Sequence, residues 1–322
     1  MIHRIFLSCV LALGAGFSAA QGFPSQPIRI VIPYAPGGGS DILARPVAQD
    51  MTERLKQSVI VDNKGGAGGN IGAQQVAHSA PDGYNLLMAN NSHAINPFIY
   101  KTPGYDLAAD FAPITLVGTS PAIVVVHKSV PANTITEFVM LARKNPGKLN
   151  AATAGIGTPG HLASLLFNKQ AGINLVHVAY KGSGPASMAL LAKEVDVFFG
   201  TPAAVEPHIR SGEFRALAVT SKKRFSAFPT VPTVAESGIP GLADYSIEIW
   251  WGLLAPAKTD AAILDKLHAA ITAAVRDPKI SERWLAQGMV PTTTSRAEFQ
   301  ALIKSDLQKW EKVVKENAIS VE

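Results

Sequence analysis

The chain has 322 residues, a formal net charge of +5 and an apolar residue fraction of 47%. This length can form two domains with separate hydrophobic cores. The mild basic excess is scattered along the chain, which argues against a nucleic-acid-binding protein.

The first 20 residues have the pattern of a secretory signal peptide. His3 and Arg4 form a short basic start, residues 5–17 are apolar, and residues 18–20 are small. We therefore expect an exported protein that is cleaved near Ala20; a buried N-terminal helix is the alternative. Because Cys9 is the only cysteine and lies in this segment, the mature chain would have neither disulfides nor thiolate sites.

The first part of the chain alternates strands and helices. A helix is indicated by Leu43, Val47, Met51 and Leu55, which share one helical face. Pro46 interrupts that pattern, so we expect the helix to start late or to bend. Around it, the sequence predicts strands at 28–32, 59–61 and 85–89 and a helix at 71–78.

A second alternating unit begins near residue 123. Thr134 and Glu137 have the spacing of a capping box and predict that a helix starts there. The sequence predicts strands at 123–126, 149–153, 176–180, 195–199, 216–220 and 250–254. It predicts helices at 134–144, from the turn at 155–160 through about 169, and at 186–192, 261–276 and 296–315.

This alternation predicts an α/β protein in which each of two lobes has a mostly parallel sheet flanked by helices. We expect strands 123–126 and 250–254 to cross between the lobes. Lobe 1 would then comprise residues 21–122 and 250–322, and lobe 2 residues 123–249. A cleft between such lobes is a common place for a small ligand.

Two glycine-rich turns each follow a predicted strand and open a predicted helix: residues 36–41 (PGGGSD) and 155–160 (GIGTPG). Glycine allows the backbone to approach a ligand closely. A helix start offers N–H groups without intrahelical partners and a partial positive charge. The two turns together predict that one small anion is held from both sides.

Other chemistries lack their full patterns. Residues 155–160 match the dinucleotide fingerprint, but no acidic residue follows in the next predicted strand at 176–180. A nucleophile elbow is absent, because Lys181 replaces the first glycine of the nearest match. The eight histidines are dispersed without metal-ligand spacing. We therefore expect no cofactor, no metal and no catalytic residue.

Individual side chains near the turns suggest supporting roles. We expect Asp41 to fix the first turn through the free N–H groups of its helix start. Tyr34 lies just before the glycines and could close over a ligand. We expect His93 and His161 to be loop or pocket residues.

Residues 33–41 (PYAPGGGSD) resemble the first signature of the Bug family, the extracytoplasmic solute-binding proteins of tripartite tricarboxylate transporters. Residues 154–162 (AGIGTPGHL) resemble the second signature of that family. Further similarity covers nearly the whole mature chain, in order, at residues 62–72, 80–84, 179–182, 231–238 and 251–257.

The resemblance implies a two-lobed periplasmic-binding-protein fold of type II that closes at a hinge. It also implies a periplasmic location, a small carboxylate ligand and a membrane permease as partner. We expect a monomer. The two signature loops would hold a carboxylate largely through backbone groups. The implied ligand-binding residues are Tyr34, Gly38, Gly39, Ser40, Asp41, Asn91, Ser92, His93, Thr153, Ala154, Gly157, Thr158, His161, Tyr180, Lys181, Gly200 and Thr201.

Gly200 and Thr201 stand where relatives often have an acidic residue. A ligand ammonium group would lose its partner there, so we expect a dicarboxylate or an aromatic acid. Three alternatives stay open: an exported hydrolase using Asp41 and His161, a ligand sensor feeding a signalling partner, and a structural envelope protein without a ligand.

Overall fold

The computed structural model describes residues 22–317, so the signal-peptide prediction for residues 1–20 lies outside the described residues. Within residues 22–317, no helix is both long enough and apolar enough to span a lipid bilayer.

Residues 22–317 form eleven β-strands and ten α-helices. The strands are β1 (Ile28–Ile32), β2 (Val59–Asn63), β3 (Asn85–Asn90), β4 (Phe111–Pro121), β5 (Ile123–His127), β6 (Asn150–Thr153), β7 (Val176–Ala179), β8 (Val197–Gly200), β9 (Phe214–Val219), β10 (Glu248–Pro256) and β11 (Val290–Pro291). The helices are α1 (Gly39–Leu55), α2 (Asn70–Ala77), α3 (Ser92–Ile99), α4 (Ile135–Lys144), α5 (Pro159–Ala171), α6 (Ser183–Leu191), α7 (Pro202–Arg210), α8 (Ala261–Arg276), α9 (Pro278–Ala286) and α10 (Arg296–Asn317).

The strands form two sheets with a shared strand order. The first sheet has the order β11-β4-β10-β3-β1-β2, and the second has the order β7-β6-β8-β5-β9. Without β11, the first sheet has the order β2-β1-β3-β10-β4, which corresponds strand by strand to β7-β6-β8-β5-β9 in the second sheet. In both sheets one reversed strand, β10 or β5, lies next to the edge strand β4 or β9. In each sheet four strands run in the same direction, and β10 and β5 are the reversed strands between them. This arrangement confirms the α/β fold with two mostly parallel sheets.

The chain passes between the sheets at two adjacent points. β4 and β5 are separated by Ala122, and β10 follows Ile247. Thr220 holds these points together, because its N–H donates to the Ala122 carbonyl at 2.9 Å and its carbonyl accepts from the Ile247 N–H at 2.8 Å. The predicted crossing strands thus each belong to one sheet, and the crossings lie at their ends. The lobe boundaries given above stay a prediction.

Some elements differ from the sequence prediction. Helix α1 begins directly at Gly39 and continues through Pro46, so the late start expected from this proline is wrong. The pattern also missed β4, the short β11 and the helices α3, α7 and α9. Pro97 and Pro207 lie inside α3 and α7, where proline normally argues against a helix.

Apolar strand residues form the cores that carry the loops. All five residues of β5 are buried, as expected of a strand covered on both faces. Ile28, Ile30 and Ile32 of β1 are fully buried beneath α1 and α8. Burial of such a side chain contributes about 1.5–3 kcal/mol. The buried strands therefore give the loops at their carboxyl ends a rigid base.

Candidate functional site: a cavity at four helix N-termini

A cavity of about 40 Å³ lies where the two sheets face each other. That volume is roughly three times what one water molecule requires. The lining residues lie at strand ends, at helix starts or on β10: Tyr34, Ala35, Gly38, Gly39, Ser40, Asp41, Asn90, Ala154, Thr158, Pro159, Gly160, Ser183, Phe199, Thr201, Ile249 and Trp251.

Four helix N-termini meet at this cavity, namely those of α1, α5, α6 and α7. In the described part of the chain, none of their N-cap residues accepts a side-chain capping hydrogen bond. The first N–H groups of a helix have no intrahelical acceptor, and its N-terminus carries about half an elementary positive charge. The cavity is therefore suited to an anion.

The four N-termini are held close together. An ideal Cβ on Gly38 would lie 3.8 Å from the Ser183 Cβ, so α1 and α6 almost touch across the two sheets. An ideal Cβ on Gly160 would lie 2.4 Å from the Phe199 carbonyl oxygen, so a side chain there would push α5 away from β8. Glycine at position 160 therefore allows the second loop to approach the end of β8.

The first loop is fixed by Asp41. Its carboxylate accepts hydrogen bonds from Arg45 at 2.7 and 2.9 Å, from the Gly37 N–H at 3.2 Å and from Asn63 at 3.2 Å. Burial alone would raise the pKa of Asp41, but these hydrogen bonds outweigh it and the pKa lies below its ordinary value. Asp41 is thus an ionised carboxylate paired with Arg45, and it orients the loop.

The second loop is fixed by His161 and Thr158. The Gly157 N–H donates to His161 Nδ1 at 3.2 Å, and the Thr158 hydroxyl donates to the Gly155 carbonyl at 2.7 Å. Burial lowers the pKa of His161 to about 3. A neutral ring can accept this bond through Nδ1, so His161 positions the loop from behind and does not line the cavity.

Tyr34 separates the cavity from a second cleft. Its hydroxyl donates to Ser92 at 2.8 Å and lies 3.1 Å from Asn90 Oδ1. Burial raises the pKa of Tyr34 to about 12, so the phenol stays protonated. Ser92 therefore supports a residue of the lining, although it does not reach the cavity itself.

Asn91 lies outside the lining of the cavity, and its expected role in ligand binding stays a prediction. Its Nδ2 donates to Asp306 on α10 at 3.0 Å, and its Oδ1 accepts from the Trp250 N–H at 2.9 Å. Both ends of the amide are thus used to join α10 to β10. The neighbouring His93 is fully buried, and its Nδ1 accepts from the Asn90 N–H at 3.1 Å. Burial lowers the pKa of His93 to about 4.

A second cleft of about 260 Å³ adjoins the cavity and shares Tyr34 and Ala154 with it. Tyr180 and Lys181 line this second cleft and not the cavity. Backbone contacts close its sides, since the Ala35 N–H donates to the Lys181 carbonyl at 3.1 Å.

The structure therefore sorts the expected ligand-binding residues into three groups. Those at the cavity are Tyr34, Gly38, Gly39, Ser40, Asp41, Ala154, Thr158 and Thr201. Those at the second cleft are Tyr180 and Lys181. The residues that line neither space are Asn91, Ser92, His93, Thr153, Gly157, His161 and Gly200. Gly200 packs within its own lobe, where an ideal Cβ would lie 2.5 Å from Val205.

Sequence reasoning missed the part of the lining that lies outside the two signature loops. The missed residues are Asn90, Ser183, Phe199, Ile249 and Trp251. Ser183 had a usable signal, because it follows a glycine and starts a helix. Ile249 and Trp251 gave no such signal, since they reach the cavity from β10, which enters late in the chain.

The two facing sheets and the anion-suited cavity between them define a two-lobed ligand-binding protein. The family model described as "Tripartite tricarboxylate transporter family receptor" matches residues 43–319. The chain is 34% identical to "Protein BugT" of Bordetella pertussis, over 94% of this chain and 93% of that protein.

Three solved structures are similar over nearly their whole length. "Structure of periplasmic binding protein BugD" has a TM-score of 0.88 at 36% identity, covering 92% of this chain and 99% of that one. "R. palustris Rpa4515 with adipate" has a TM-score of 0.88 at 32% identity, covering 93% and 100%. "MatC (Rpa3494) from Rhodopseudomonas palustris with bound malate" has a TM-score of 0.86 at 30% identity, covering 91% and 100%.

The chain belongs to the family of tripartite tricarboxylate transporter receptors, in which the Bug proteins are included. It is a solute-binding receptor of the periplasmic-binding type and not an enzyme. The hydrolase alternative is therefore wrong. The geometry gives the reason, because Asp41 is paired with Arg45 and His161 lies behind the loop.

Proposed function

We propose that this protein binds the carboxylate group of a small ligand in the cavity, with the rest of the ligand extending into the adjoining cleft, and delivers the ligand to the membrane permease of a tripartite tricarboxylate transporter. The observation that carries the proposal is the meeting of four uncapped helix N-termini at one cavity. A carboxylate accepting their N–H groups would satisfy donors that have no acceptor within their helices.

The charge of the lining favours an anion held by backbone groups. No lysine or arginine side chain lines the cavity in the part of the chain that the structure describes. Asp41 is the one carboxylate in the lining, and Arg45 already neutralises it. A ligand ammonium group would therefore find no available carboxylate.

The proposed ligand is accordingly a carboxylate without a required ammonium group, with a dicarboxylate or an aromatic acid favoured. Two similar structures, one with adipate and one with bound malate, support the dicarboxylate. The aromatic acid would use the second cleft for its ring, where Tyr34, Tyr100 and Tyr180 supply aromatic walls.

Binding would be coupled to closure of the lobes. The two loops lie on different sheets, so a carboxylate that contacts both stabilises the closed arrangement by its extra affinity for that state. Tyr100 supports closure from the side, because its hydroxyl donates to the Ile156 carbonyl at 3.1 Å. We further propose that the exported chain acts in the periplasm as a monomer after cleavage near Ala20.

The test is a thermal-shift screen of the purified mature protein, followed by calorimetry on each hit. The panel contains C4 to C6 dicarboxylates, citrate, aromatic acids, aspartate and glutamate. A ligand at 100 times its Kd adds about 2.7 kcal/mol of stability, which raises the Tm by about 5–10 °C.

We expect a dicarboxylate or an aromatic acid to give the largest shift and to be recovered unchanged. Tighter binding of aspartate or glutamate in the same assay would contradict the proposed ligand class. A flat screen on folded protein would contradict carboxylate binding altogether. Delivery is tested separately, by ligand-dependent uptake into vesicles that contain the permease.

A further inference from the structure

Asn96 on α3 has an amide oxygen without a hydrogen-bonding partner. The side chain is fully buried, and within residues 22–317 no donor reaches its Oδ1. Buried polar groups nearly always have a partner, so an orphaned one calls for an explanation. Asn96 lines neither the cavity nor the second cleft, so direct contact with a ligand does not provide that explanation.

The other end of the amide fixes its orientation. Asn96 Nδ2 donates to the Gly68 carbonyl at 3.1 Å and to Asn70 Oδ1 at 2.6 Å. A flipped amide would place its oxygen against the Gly68 carbonyl oxygen, and two acceptors cannot form a hydrogen bond. The orphaned atom is therefore the oxygen, and it points away from Gly68.

Gly157, on the other side of the cleft, lies against this oxygen. Asn96 is on the helix that follows β3 of the first sheet, whereas Gly157 is in the loop that follows β6 of the second sheet. An ideal Cβ on Gly157 would lie 2.2 Å from Asn96 Oδ1, so a side chain there would prevent so close an approach. The Gly157 N–H does not satisfy the oxygen, because it donates to His161.

The burial of Asn96 Oδ1 thus belongs to the closed arrangement of the two sheets. Opening the cleft would withdraw Gly157 and let water donate to the oxygen. Closing it removes that water without supplying a protein donor, and a buried acceptor without a partner is costly. This cost opposes the contacts that favour closure, such as the hydrogen bond from Tyr100 to the Ile156 carbonyl.

We propose that Asn96 keeps the ligand-free protein open and thereby sets its affinity for the ligand. Without ligand, the cost of burying Oδ1 shifts the equilibrium toward the open state, which admits a solute. Contacts between the ligand and both glycine loops overcome this cost, so the apparent affinity is lower than the closed cavity alone would give. The inference goes beyond the proposed function, because it concerns the protein without its ligand.

The experiment measures closure by the distance between two spin labels in the full mature chain. Residues 21–322 contain no cysteine, so introduced cysteines are the only labelling sites. Ile71→Cys on α2 and Met188→Cys on α6 replace exposed side chains on the two sides of the cleft. Pulsed electron spin resonance gives the populations of the open and closed distances without ligand, and calorimetry gives the Kd for succinate.

Four variants in this labelled background separate the orphaned oxygen from other effects. Asn96→Leu removes the acceptor at similar size, and Asn96→Ala removes it without bulk that could hinder closure. The former partners of the amide nitrogen keep donors, from Tyr34 at 3.4 Å and from Tyr105 at 3.2 Å. Tyr100→Phe removes a contact that favours closure. Thr272→Val is the control, because Thr272 Oγ1 is also buried without a partner but lies on α8, which packs against β4.

We expect the wild type without ligand to be mainly open. Asn96→Leu and Asn96→Ala should raise the closed-to-open ratio by about 5- to 100-fold, the equilibrium effect of removing one unsatisfied buried acceptor. The Kd for succinate should tighten by up to the same factor. Tyr100→Phe should lower the ratio, and Thr272→Val should leave it unchanged.

The remaining outcomes overturn the proposal. Wild-type protein that is mainly closed without ligand shows that Asn96 does not keep it open. An unchanged or lowered ratio in both Asn96 variants, or an equal rise in Thr272→Val, shows that the orphaned oxygen does not oppose closure. Failure of both Asn96 variants to fold assigns the residue a structural role instead. If no carboxylate binds, the proposed function fails, whereas the ligand-free distances still decide the role of Asn96.

Discussion

All four helices that begin at the cavity lack a side-chain N-cap hydrogen bond, whereas four of the six described helices that begin elsewhere have one. Of the helices the structure describes, α4, α8 and α9 have N-cap side chains that bond their first turn, and Ser295 and Glu298 bond reciprocally at the start of α10. The four helices at the cavity have glycine or threonine N-caps without such a bond: Gly38, Thr158, Gly182 and Thr201.

The four cavity helices lack the stabilisation that a side-chain N-cap provides. A side-chain cap contributes about 1 kcal/mol to a helix. Helices α4, α8, α9 and α10 have this contribution in the protein alone, whereas α2 and α3, which also begin away from the cavity, do not. All four cavity helices keep their N–H groups available. The comparison predicts that the proposed carboxylate acts as the cap of several helices at once.

The strongest test is to give a cavity helix its own cap. Gly38 has an extended backbone, with φ −89° and ψ 173°, and room for a Cβ, so Gly38→Asp can be tolerated. The new carboxylate should cap α1 and repel the ligand, which should weaken carboxylate binding by about 100-fold or more. Calorimetry measures this loss.

Gly38→Asn is the matched control, because it can cap without adding charge and should weaken binding less. The ligand-free protein should gain only a few tenths of a kcal/mol in either variant. Unchanged carboxylate affinity in Gly38→Asp would contradict the claim that the ligand binds at the N-terminus of α1.

Lowering the pH should affect the stability of the cavity region and of the capped start of α10 differently. Burial holds the pKa of His161 at about 3, against about 6.5 unfolded, so its contribution to stability is full above pH 6.5 and declines as the pH falls toward 3. The decline approaches about 1.4 kcal/mol per pH unit. Glu298 behaves differently, because the Ser295 N–H lowers its pKa and its contribution is lost only below the ordinary carboxyl range.

Between pH 7 and pH 5 the cavity region should therefore weaken first. His161→Asn retains an acceptor for the Gly157 N–H but does not titrate. Its unfolding free energy relative to the wild type should rise by roughly 1–2 kcal/mol across this interval. Urea denaturation at pH 7, 6 and 5 measures the difference, and parallel curves for the two proteins would contradict the expectation.

The smallest effect concerns a cap away from the cavity. Asp277 accepts from the N–H groups of Lys279 and Ile280 at the start of α9. Asp277→Ala should cost about 1 kcal/mol, lower the Tm by about 2–4 °C and leave ligand affinity unchanged. Asp277→Ser should retain most of the stability. A loss of affinity comparable to that of Gly38→Asp would show that the two kinds of helix start are not distinct.

The sequence predicted elements whose signals are local. Helix α8 has the predicted bounds, and Thr134 and Glu137 form the predicted capping arrangement. Helices α3 and α7 were missed because Pro97 and Pro207 argue against a helix locally, whereas packing against neighbouring elements overrides that preference.

The sequence predicted those parts of the site that are formed by residues close together in the chain. The glycine turns mark the starts of α1 and α5, which follow β1 and β6 directly. Phe199 and Trp251 could not be found in the same way, because they reach the cavity from strands distant in sequence. The contacts of Asn91 could not be predicted for a related reason, since its partners Trp250 and Asp306 come from the far end of the chain.

The strand order also has a consequence for how the chain acquires its structure. The second sheet is complete once Val219 is available, because β5 to β9 follow one another without interruption. The first sheet requires β10, whose residue Trp250 bonds Asn91 across a separation of 159 residues. Closing so long a loop is entropically costly and slow. Strands β1 to β4 are synthesised first, but the first sheet is completed last, because it cannot form fully until β10 has been synthesised.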